Sequence, residues 1–447
     1  MNLKKLKSLF SEHGCNKIYV KKLSPNDNSK NQVYLGGNFE ILNIIPISSI
    51  KTEEAGDWSK ERFKAKIDFS WVNEDGNIYP APSSQLILYP RYPEVRFSGF
   101  LARCQNPPSE LMTQRLADRL LFFAVSKSGT VLGYVTSPDS ELAKEFNLLK
   151  ATIEHGVFKI IELPQAANNR VKLINELLRI HEKGWIKSKR LDGAGKFLPC
   201  EAPNCGGYTL EAELGITPNG YSEPDFLGWE IKQFGVKNFE KINTSVITLM
   251  TPEPTDGVYK TDGAETFLMR YGYPDKTGRE DRINFGGIHK TGVRHSTTHL
   301  EMQLIGFDTE TGTMRSSNGR ISLVDKKGNE AASWSFSSLL LHWNRKHNLA
   351  CYVPSLSASE QDRKYQYGNK IILGSGTDFQ LFLAQLAKGN IYYDPGIKME
   401  NVSTKPKIKK RSQFRVKSRH LPNLYKLNEI IDITNNISIV VKHLLIS

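Results

Sequence analysis

Cysteine is scarce in this sequence, with five among 447 residues. Their number is odd and their positions are scattered, which argues against a disulfide framework and favours a reducing compartment, so we expect a cytoplasmic protein. Cys200 and Cys205 come closest to a metal-binding pair, but no second CxxC or His pair supplies the remaining ligands. A zinc centre is therefore not expected.

Long apolar runs are also missing. No stretch approaches the roughly 18 apolar residues that a membrane span requires, and the basic N-terminal segment has no long apolar core before a cleavage site. Internal repeats and low-complexity segments are not visible either. With 39% hydrophobic and 24% charged residues, the composition is typical of soluble globular proteins, and the length predicts two or three domains.

Acidic residues are outnumbered by basic ones, and the imbalance is local. The net charge is +13, of which residues 1–165 contribute +3 and residues 166–447 contribute +10. Residues 405–420 alone hold eight Lys or Arg and no acid. Such a segment attracts polyanions, most commonly nucleic-acid phosphates, although a solvated basic surface strand would show the same pattern.

The first part of the chain shows mainly strand patterns. Short alternating segments separated by turn residues fill residues 16–165, and one helical pattern interrupts them at 109–125. We therefore predict a first domain, residues 1–165, with the fold of a small β-barrel or pseudobarrel.

The second part mixes helix and strand patterns. Apolar residues at helical spacing from Val171 to Ile180 begin a second domain, residues 166–447. Helical segments then alternate with strand segments, which predicts an α/β core sheet. The apolar C-terminal segment fits a closing strand or a helix equally well.

The most specific chemistry lies on the strand pattern at 228–234. Side chains alternate between the two faces of a strand, so Glu230 and Lys232 share one face while Trp229 and Ile231 pack on the other. Asp225 precedes a Phe-Leu-Gly segment, and a short bend there would return its carboxylate to the side of Glu230. Two carboxylates and an amine would then meet at one point.

Such a cluster suits Mg²⁺, which takes one or two carboxylates together with waters and phosphate oxygens. We expect Asp225, Glu230 and the backbone carbonyl of Ile231 as ligands, with Lys232 holding or helping to deprotonate an attacking water. The metal would lower the pKa of that water and offset the charge that develops at phosphorus. An isolated pattern of this length also recurs by chance, as a surface ion pair beside a turn residue.

The surrounding run, residues 206–233, resembles the active-site region of the PD-(D/E)xK nucleases, and most closely that of the MvaI/BcnI-type restriction endonucleases. The likeness rests on a Gly-Tyr-Thr-Leu-Glu helix start (207–211), Pro-Asp-Phe (224–226) and Glu-Ile-Lys (230–232), with later segments at 342–354 and 392–417. It implies an α/β nuclease domain with a mixed central sheet flanked by helices. The insertion at 192–206 departs from the family pattern.

The resemblance also implies an activity. Members of this family are monomeric, Mg²⁺-dependent enzymes that hydrolyse double-stranded DNA within a CCNGG-like site, for which CCWGG is the best guess, and a companion DNA methyltransferase is expected in the host. Carried over by motif, Asp225, Glu230 and Lys232 are the catalytic residues. Glu211 is the acidic residue of the preceding helix and has an auxiliary role.

DNA contacts are expected from two further segments. Arg411, Gln413 and Arg415 alternate on one face of a predicted strand and are candidates for base contacts, since Arg to guanine is the commonest pairing. Phosphate contacts are expected from neighbouring basic residues: Lys409, Lys410, Lys417 and Arg419. A second polar cluster is either a groove-reading loop or a hydrogen-bonded surface loop: His289, Arg294, His295 and His299. His342 and His347 are expected to pack or cap a helix.

The first domain carries a weaker resemblance, at residues 20–37 and 89–104, to the B3-like effector domain of EcoRII-type restriction enzymes. Together with the second domain this is the arrangement of the UbaLAI-type enzymes, and it implies a type IIE enzyme that is stimulated by a second copy of its site. The candidate DNA-binding residues are Lys21, Lys22, Asn26, Asn28, Lys30, Arg91, Tyr92 and Arg96. The charge of only +3 also fits a protein-binding or purely structural barrel.

Two rival functions remain open for the whole chain. One is a DNA-binding regulator that keeps the nuclease fold without turnover. The other is a repair or structure-specific nuclease on the same fold, which would cut irregularly or at mismatches.

Overall fold

The structure is a computed structural model, and it describes residues 1–25, 32–37, 39–56, 60–92, 94–149, 153–202, 204–217, 225–359, 362–435 and 437–441. The chain forms two units, Met1–Lys172 and Leu173–Ser447. Each unit is considered by itself below. Among the described residues, no helix is both long enough and apolar enough to cross a membrane.

The first unit is built mainly from strands. Its helices are α1 (Leu3–Glu12), α2 (Ser109–Thr113) and α3 (Glu141–Asn147). Its strands are β1 (Lys17–Leu23), β2 (Val33–Gly36), β3 (Ser49–Glu53), β4 (Arg62–Lys66), β5 (Phe69–Val72), β6 (Ile78–Pro80), β7 (Gln85–Tyr89), β8 (Glu94–Ser98), β9 (Arg119–Val125), β10 (Val131–Thr136), β11 (Ile153–His155) and β12 (Phe158–Glu162).

These strands form two sheets, in the orders β11-β12-β1-β9-β10-β5-β6 and β2-β8-β7-β4-β3. Aromatic side chains join the two sheets: the Phe97 ring of β8 lies 4.9 Å from Phe69 of β5 and 5.5 Å from Phe123 of β9. Leu6 and Phe10 of α1 are buried in a second cluster on the larger sheet. The unit is therefore mainly β, as its turn-separated strand patterns predict.

The predicted helix at 109–125 is wrong beyond its first turn. Helix α2 ends at Thr113, and the apolar run Arg119–Val125 is the strand β9, paired on one side with β1 and on the other with β10. A strand that is covered on both faces has no polar alternation, so its periodicity cannot distinguish it from a buried helix.

Helix α4 (Pro164–Glu182) leads into the second unit, which contains α5 (Cys205–Glu213), α6 (Val258–Thr261), α7 (Gly263–Tyr271), α8 (Phe336–His347) and α9 (Phe379–Ala387). Its strands are β13 (Ile186–Lys187), β14 (Lys189–Leu191), β15 (Phe197–Pro199), β16 (Glu230–Gly235), β17 (Val246–Met250), β18 (Tyr273–Pro274), β19 (Arg282–Gly286), β20 (Glu301–Ile305), β21 (Phe307–Asp308), β22 (Thr313–Met314), β23 (Arg320–Val324), β24 (Glu330–Ser335), β25 (Leu349–Ala358), β26 (Lys364–Tyr367), β27 (Lys370–Ser375), β28 (Ile391–Tyr393), β29 (Gly396–Glu400), β30 (Lys407–Lys409), β31 (Phe414–Lys417), β32 (Leu427–Asp432) and β33 (Ile437–Val441).

The central sheet of this unit is mixed. Its order is β13-β26-β25-β27-β32-β33, and β16 pairs in parallel with β25. The C-terminal segment that the sequence left open forms, in the part that the structure describes, the strand pair β32 and β33. Smaller sheets complete the unit, among them β17-β31-β28 and β18-β19-β29-β30. The observed mixture of sheets and helices agrees with the predicted α/β class for this unit.

One face of the central sheet is covered by α4 and α5. Leu173, Leu177 and Ile180 of α4 and Leu210 of α5 share a buried cluster with residues of β16, β25 and β27. Because these helices occupy one face, Glu230 and Lys232 of β16 project from the other, whereas the Gln233 side chain lies against Gly206 of α5.

A disulfide bond joins Cys200 to Cys205, the first residue of α5. The expectation of unpaired cysteines is wrong for this pair. The hairpin of β14 and β15 brings Cys200 to the start of α5, a proximity that five-residue spacing alone did not reveal. Cys15, Cys104 and Cys351 are free.

Glu213, the last residue of α5, fixes this helix in place. Its side chain is only 3% exposed and forms ion pairs with Lys189 of β14 and with Lys183 (2.6 Å), which follows α4. Burial alone would raise the pKa of Glu213, but the hydrogen bonds from Lys183 and Lys189 outweigh it and hold the pKa below its ordinary value.

We expect Glu213→Gln to lower the free energy of unfolding by about 3 kcal/mol, because breaking a buried ion pair leaves charges without a partner. Denaturant titration measures the change. Glu176→Gln is the matched control: Glu176 forms an exposed pair with Arg179 of α4, and its loss should cost less than about 1 kcal/mol.

The pH dependence gives a second readout. The folded-state pKa of Glu213 is lowered, so its contribution is present above the unfolded-state pKa of roughly 4.3 and disappears as the pH falls through the folded-state pKa. The difference between wild type and Glu213→Gln should therefore shrink on acidification. A difference that stays constant down to acid pH would contradict this role.

Candidate active site

A tight two-residue turn brings Asp225 to the start of β16. Phe226 and Trp229 exchange two backbone hydrogen bonds of 2.8 and 2.9 Å, and the residues between them, Leu227 and Gly228, have φ angles of 50° and 86°. Positive φ at both central positions is typical of the type I′ turn, for which glycine is well suited. Asp225 Oδ2 then accepts a 2.9 Å hydrogen bond from the backbone N–H of Ile231.

Alternation along β16 separates its apolar and ionisable side chains. Trp229, just before the strand, and Ile231 are buried in the cluster beneath α4 and α5. On the other face, Lys232 Nζ donates a 2.8 Å hydrogen bond to Glu230 Oε1. Asp225, Glu230 and Lys232 therefore stand together, as their spacing predicts.

Three carboxyl groups share this site, and their pKa values diverge. Burial and the nearby charge of Glu230 raise the pKa of Asp225 to about 6. Burial and the charge of Asp225 raise the pKa of Glu211, on α5, to about 7. Burial also opposes ionisation of Glu230, but Lys232 and Lys346 overcome it, so the pKa of Glu230 lies below its ordinary value. Glu230 is thus the residue whose negative charge the site stabilises.

The donor set fits a hard divalent cation. Glu230 is 2% exposed, and its Oε2 atom is buried without a hydrogen-bond partner. A buried carboxylate oxygen that lacks a donor is a position that a cation can satisfy. Within the described ranges, no three His, Cys, Asp or Glu side chains converge as a ready-made metal cage. Two carboxylates are, however, the protein share that Mg²⁺ commonly takes.

A buried polar network lies beside this cluster. His347, at the end of α8, is fully buried and stacks on Trp343 at 4.0 Å. Its Nε2 lies 3.2 Å from the Leu249 carbonyl oxygen, and its Nδ1 lies 3.3 Å from the Tyr425 hydroxyl. Burial, aided by the charge of Lys232, lowers the pKa of His347 to about 3. His347 is therefore a neutral packing residue, as expected. His342, which is also expected to pack or cap a helix, lies on α8 too and is exposed.

The basic segment is not the continuous alternating strand that its sequence predicts. It is divided between β30 and β31, with residues 410–413 outside both. Gln413 is 5% exposed, and Arg415 donates a 2.6 Å hydrogen bond to Asp394. Both assignments as base-reading side chains are therefore wrong in this structure, because core packing and an ion pair occupy them. Arg411 is exposed.

The four residues expected to contact phosphates remain on the surface: Lys409, Lys410, Lys417 and Arg419. Lys409 forms an exposed 3.4 Å ion pair with Glu400, and the Lys410 ammonium lies 5.6 Å from the ring centre of Tyr259. Exposed contacts of these kinds are weak, so these side chains can turn to a ligand.

The histidine loop is divided between core and surface. His289 is fully buried, with Nδ1 3.0 Å from the Gly287 carbonyl and Nε2 2.9 Å from the Thr298 hydroxyl. Burial and the adjacent His295 lower its pKa to about 3. His289 is thus a structural residue, and its assignment to DNA contact is wrong.

The other members of this loop are accessible to different degrees. His295 is half-buried and stacks on His289 at 4.5 Å. Arg294 forms a 3.0 Å ion pair with Glu301 and donates a hydrogen bond to the backbone oxygen of His299. His299 is exposed with a φ of 57°. The core position of His289 thus holds a loop whose outer residues face solvent.

The candidate DNA-binding residues of the first unit are scattered. Lys21 is 9% exposed and burial lowers its pKa, so its assignment as an open DNA contact is wrong. Lys22 pairs with Asp118 at 3.0 Å, and Arg91 and Tyr92 are exposed. Three further candidates lie outside the described residues: Asn26, Asn28 and Lys30.

Arg96 lines a cavity of about 410 Å³ on the outer face of the smaller sheet, together with Arg62 and Lys64. These cations are already paired with acids, Arg96 with Glu94 at 2.8 Å and the other two with Glu53. The cavity is thus basic but largely charge-compensated.

Sequence reasoning missed Lys346 as a member of the site. Lys346 lies in the segment 342–354, which resembles the family. Its position beside Glu230 depends on the parallel pairing of β25 with β16, a tertiary contact that the sequence does not show. The signal that could have found it is a basic residue at a helix end just before a predicted core strand.

A match to a family model gives the class of this protein: it is a DNA-cleaving nuclease of the restriction endonuclease class. The chain belongs to the MvaI/BcnI restriction endonuclease family, whose model matches residues 174–425. The family resemblance predicted from residues 206–233 is thereby confirmed.

The solved structures that are similar to this chain include two of the restriction endonuclease MvaI. One is the complex of the restriction endonuclease MvaI with its cognate DNA substrate, at 21% identity over 58% of this chain and 97% of that chain, with a TM-score of 0.44. The other is MvaI in the absence of DNA, also at 21% identity, over 61% of this chain and 97% of that chain, with a TM-score of 0.32. A comparison with curated protein sequences gives no match.

Two neutral substitutions at the site should change stability in opposite directions. In chelator at about pH 8, Asp225→Asn should raise the free energy of unfolding by on the order of 1 kcal/mol, because ionised Asp225 is disfavoured while Asn still accepts from Ile231. Glu230→Gln should lower it, because Lys232 and Lys346 lose their partner. Denaturant titration checks both, and a stabilising Glu230→Gln would show that the charge balance at the site has been misassigned.

Proposed function

We propose that this chain is a Mg²⁺-dependent, site-specific type II restriction endonuclease that hydrolyses double-stranded DNA at a CCNGG-like site, with CCWGG as the best candidate. Membership of the MvaI/BcnI family supports the DNA-cleaving class. The observation that carries the mechanism is the convergence of Asp225, Glu230 and Lys232 at the start of β16.

Each residue of the cluster has a distinct role in this proposal. Asp225, Glu230 through its free Oε2, and the backbone carbonyl of Ile231 would hold the cation. When bound, the cation lowers the pKa of a water and offsets charge at the phosphate. Lys232 holds the attacking water and, as an ammonium, stabilises the negative charge that develops when this water loses its proton to solvent, while its bond to Glu230 Oε1 fixes the ammonium in place. Glu211 assists at the edge of the site, where a raised pKa lets it carry a proton.

DNA would be held by exposed residues of the second unit. Arg411 is the remaining candidate for a base contact in the basic segment, with Lys409, Lys410, Lys417 and Arg419 on phosphates. From the histidine loop, Arg294, His295 and His299 are the candidates for groove contacts. These residues position a duplex whose sequence they also discriminate.

The first unit would act as a B3-like effector domain, so that the enzyme is of type IIE and binds two copies of its site at once. Exposed Arg91 and Tyr92 support a nucleic-acid contact, since a basic and an aromatic side chain suit phosphate and base respectively. The protein would be a cytoplasmic monomer with a companion DNA methyltransferase in its host.

We expect Lys232→Ala to reduce the single-turnover cleavage rate on the order of a thousandfold or more, because it removes a group that contacts the reacting water. Binding of a duplex containing CCAGG should change little. Lys172→Ala is the control, since Lys172 is an exposed residue of α4. Full turnover by Lys232→Ala would remove the site assignment.

Incubation of plasmid with wild-type protein and Mg²⁺, followed by sequencing of the cut ends, tests the function itself. Discrete fragments with ends inside CCWGG support the proposal. Intact plasmid with a shifted band would identify a binding protein, and irregular or mismatch-centred ends would identify a structure-specific nuclease.

The effector role predicts that a short CCAGG duplex, added in trans, accelerates cleavage of a plasmid with one site. Arg91→Ala combined with Tyr92→Ala should abolish this acceleration and leave unstimulated cleavage unchanged. Lys144→Ala, an exposed change on α3, serves as the control. Acceleration that survives the double substitution would mean that these side chains do not bind the effector duplex.

A further inference from the structure

A second lysine enters the catalytic cluster from a different element. Lys346 lies in the last turn of α8, and its Nζ is 3.7 Å from Glu230 Oε1. That same oxygen accepts the hydrogen bond of Lys232 at 2.8 Å. Two ammonium groups therefore converge on one carboxylate oxygen, while the other oxygen of Glu230 has no partner.

The fold fixes Lys346 in this position. Strand β25 begins two residues after α8 ends, and it runs parallel to β16 with Ala350 opposite Glu230. The end of α8 is therefore anchored beside the end of β16 that carries the carboxylates. His347, buried next to it by its contacts to Leu249 and Tyr425, prevents the helix end from rotating.

The two lysines differ in how firmly they are engaged. The 2.8 Å contact of Lys232 is a formed hydrogen bond, whereas 3.7 Å is an ion-pair distance beyond hydrogen-bond range. The Lys346 side chain is also the more exposed, at 30% against 18% for Lys232. An ammonium group has three donors, so Lys346 can contact an incoming anion without leaving Glu230.

We propose that Lys346 is the second cationic residue of the active site and contacts a DNA phosphate beside the scissile bond. This inference rests on the proposed nuclease function. Asp225 and Glu230 would repel the phosphate on their own, and Lys346 supplies positive charge at the position where the phosphate must approach. Lys232 then remains free to hold the water.

A simpler role for Lys346 is to complement the C-terminal end of α8, where a basic side chain is favourable. Such a role would affect stability but not the number of DNA phosphates that are neutralised. Each phosphate contact contributes about −0.9 to the slope of log K against log salt concentration for duplex DNA. The salt slope therefore separates the two roles.

The test measures binding of a short CCAGG duplex over a range of salt concentrations, in EDTA so that no cleavage occurs. We expect Lys346→Gln to reduce the magnitude of the slope by about 0.9 and Lys346→Arg to leave it unchanged. Lys172→Gln, which removes an equal charge from an exposed position on α4, should also leave it unchanged. With Mg²⁺, single-turnover cleavage by Lys346→Gln should fall on the order of a hundredfold.

Lys346→Met keeps the aliphatic stem and repeats the charge loss if Lys346→Gln folds poorly, and the thermal midpoint of each variant reports its folding. A slope for both neutral variants that matches that of Lys172→Gln would overturn the inference. That outcome is distinct from failure of the proposed function, in which the wild-type protein itself would not cut DNA.

Discussion

The burial of Glu230 as a charged group is the constraint on which the candidate active site depends. A carboxylate that is 2% exposed must find compensation, and the structure supplies it through one hydrogen bond from Lys232 and one longer ion pair from Lys346. Both lysines face Glu230 Oε1, so Glu230 Oε2 is left for a cation. The Asp225 side chain is held nearby by a hydrogen bond from the backbone N–H of Ile231. The site thus leaves Glu230 Oε2 buried without a hydrogen-bond partner, a position that a bound cation would satisfy.

The two faces of the central sheet differ in the same way: one is packed with apolar side chains, and the other carries the ionisable ones. Trp229 and Ile231 pack beneath α4 and α5 and hold β16 against these helices. Glu230 and Lys232 project to the opposite side. Glu213 holds α5 to α4 and β14, and α5 in turn carries Glu211 to the edge of the cluster. Packing on one face therefore determines the geometry of the proposed catalytic cluster on the other.

Local patterns predicted much of this site, whereas tertiary relations were not predictable. Strand alternation placed Glu230 with Lys232, and the Phe-Leu-Gly bend placed Asp225 beside them, because both depend on neighbours in sequence. The apolar run that forms β9 and the buried positions of His289 and Gln413 depend on distant partners, and the Cys200–Cys205 disulfide depends on the pairing of β14 with β15. Lys346 belongs to this second group, since the pairing of β25 with β16 brings it to the cluster.

The most direct test of the central claim is anomalous diffraction from crystals of the protein with a CCAGG duplex and Mn²⁺ in place of Mg²⁺. The account predicts an anomalous peak bonded to the Asp225 carboxylate and to Glu230 Oε2, with a phosphate oxygen as a further ligand. Mn²⁺ bound elsewhere, with Glu230 Oε2 still lacking a partner and the DNA phosphates distant from β16, would contradict it.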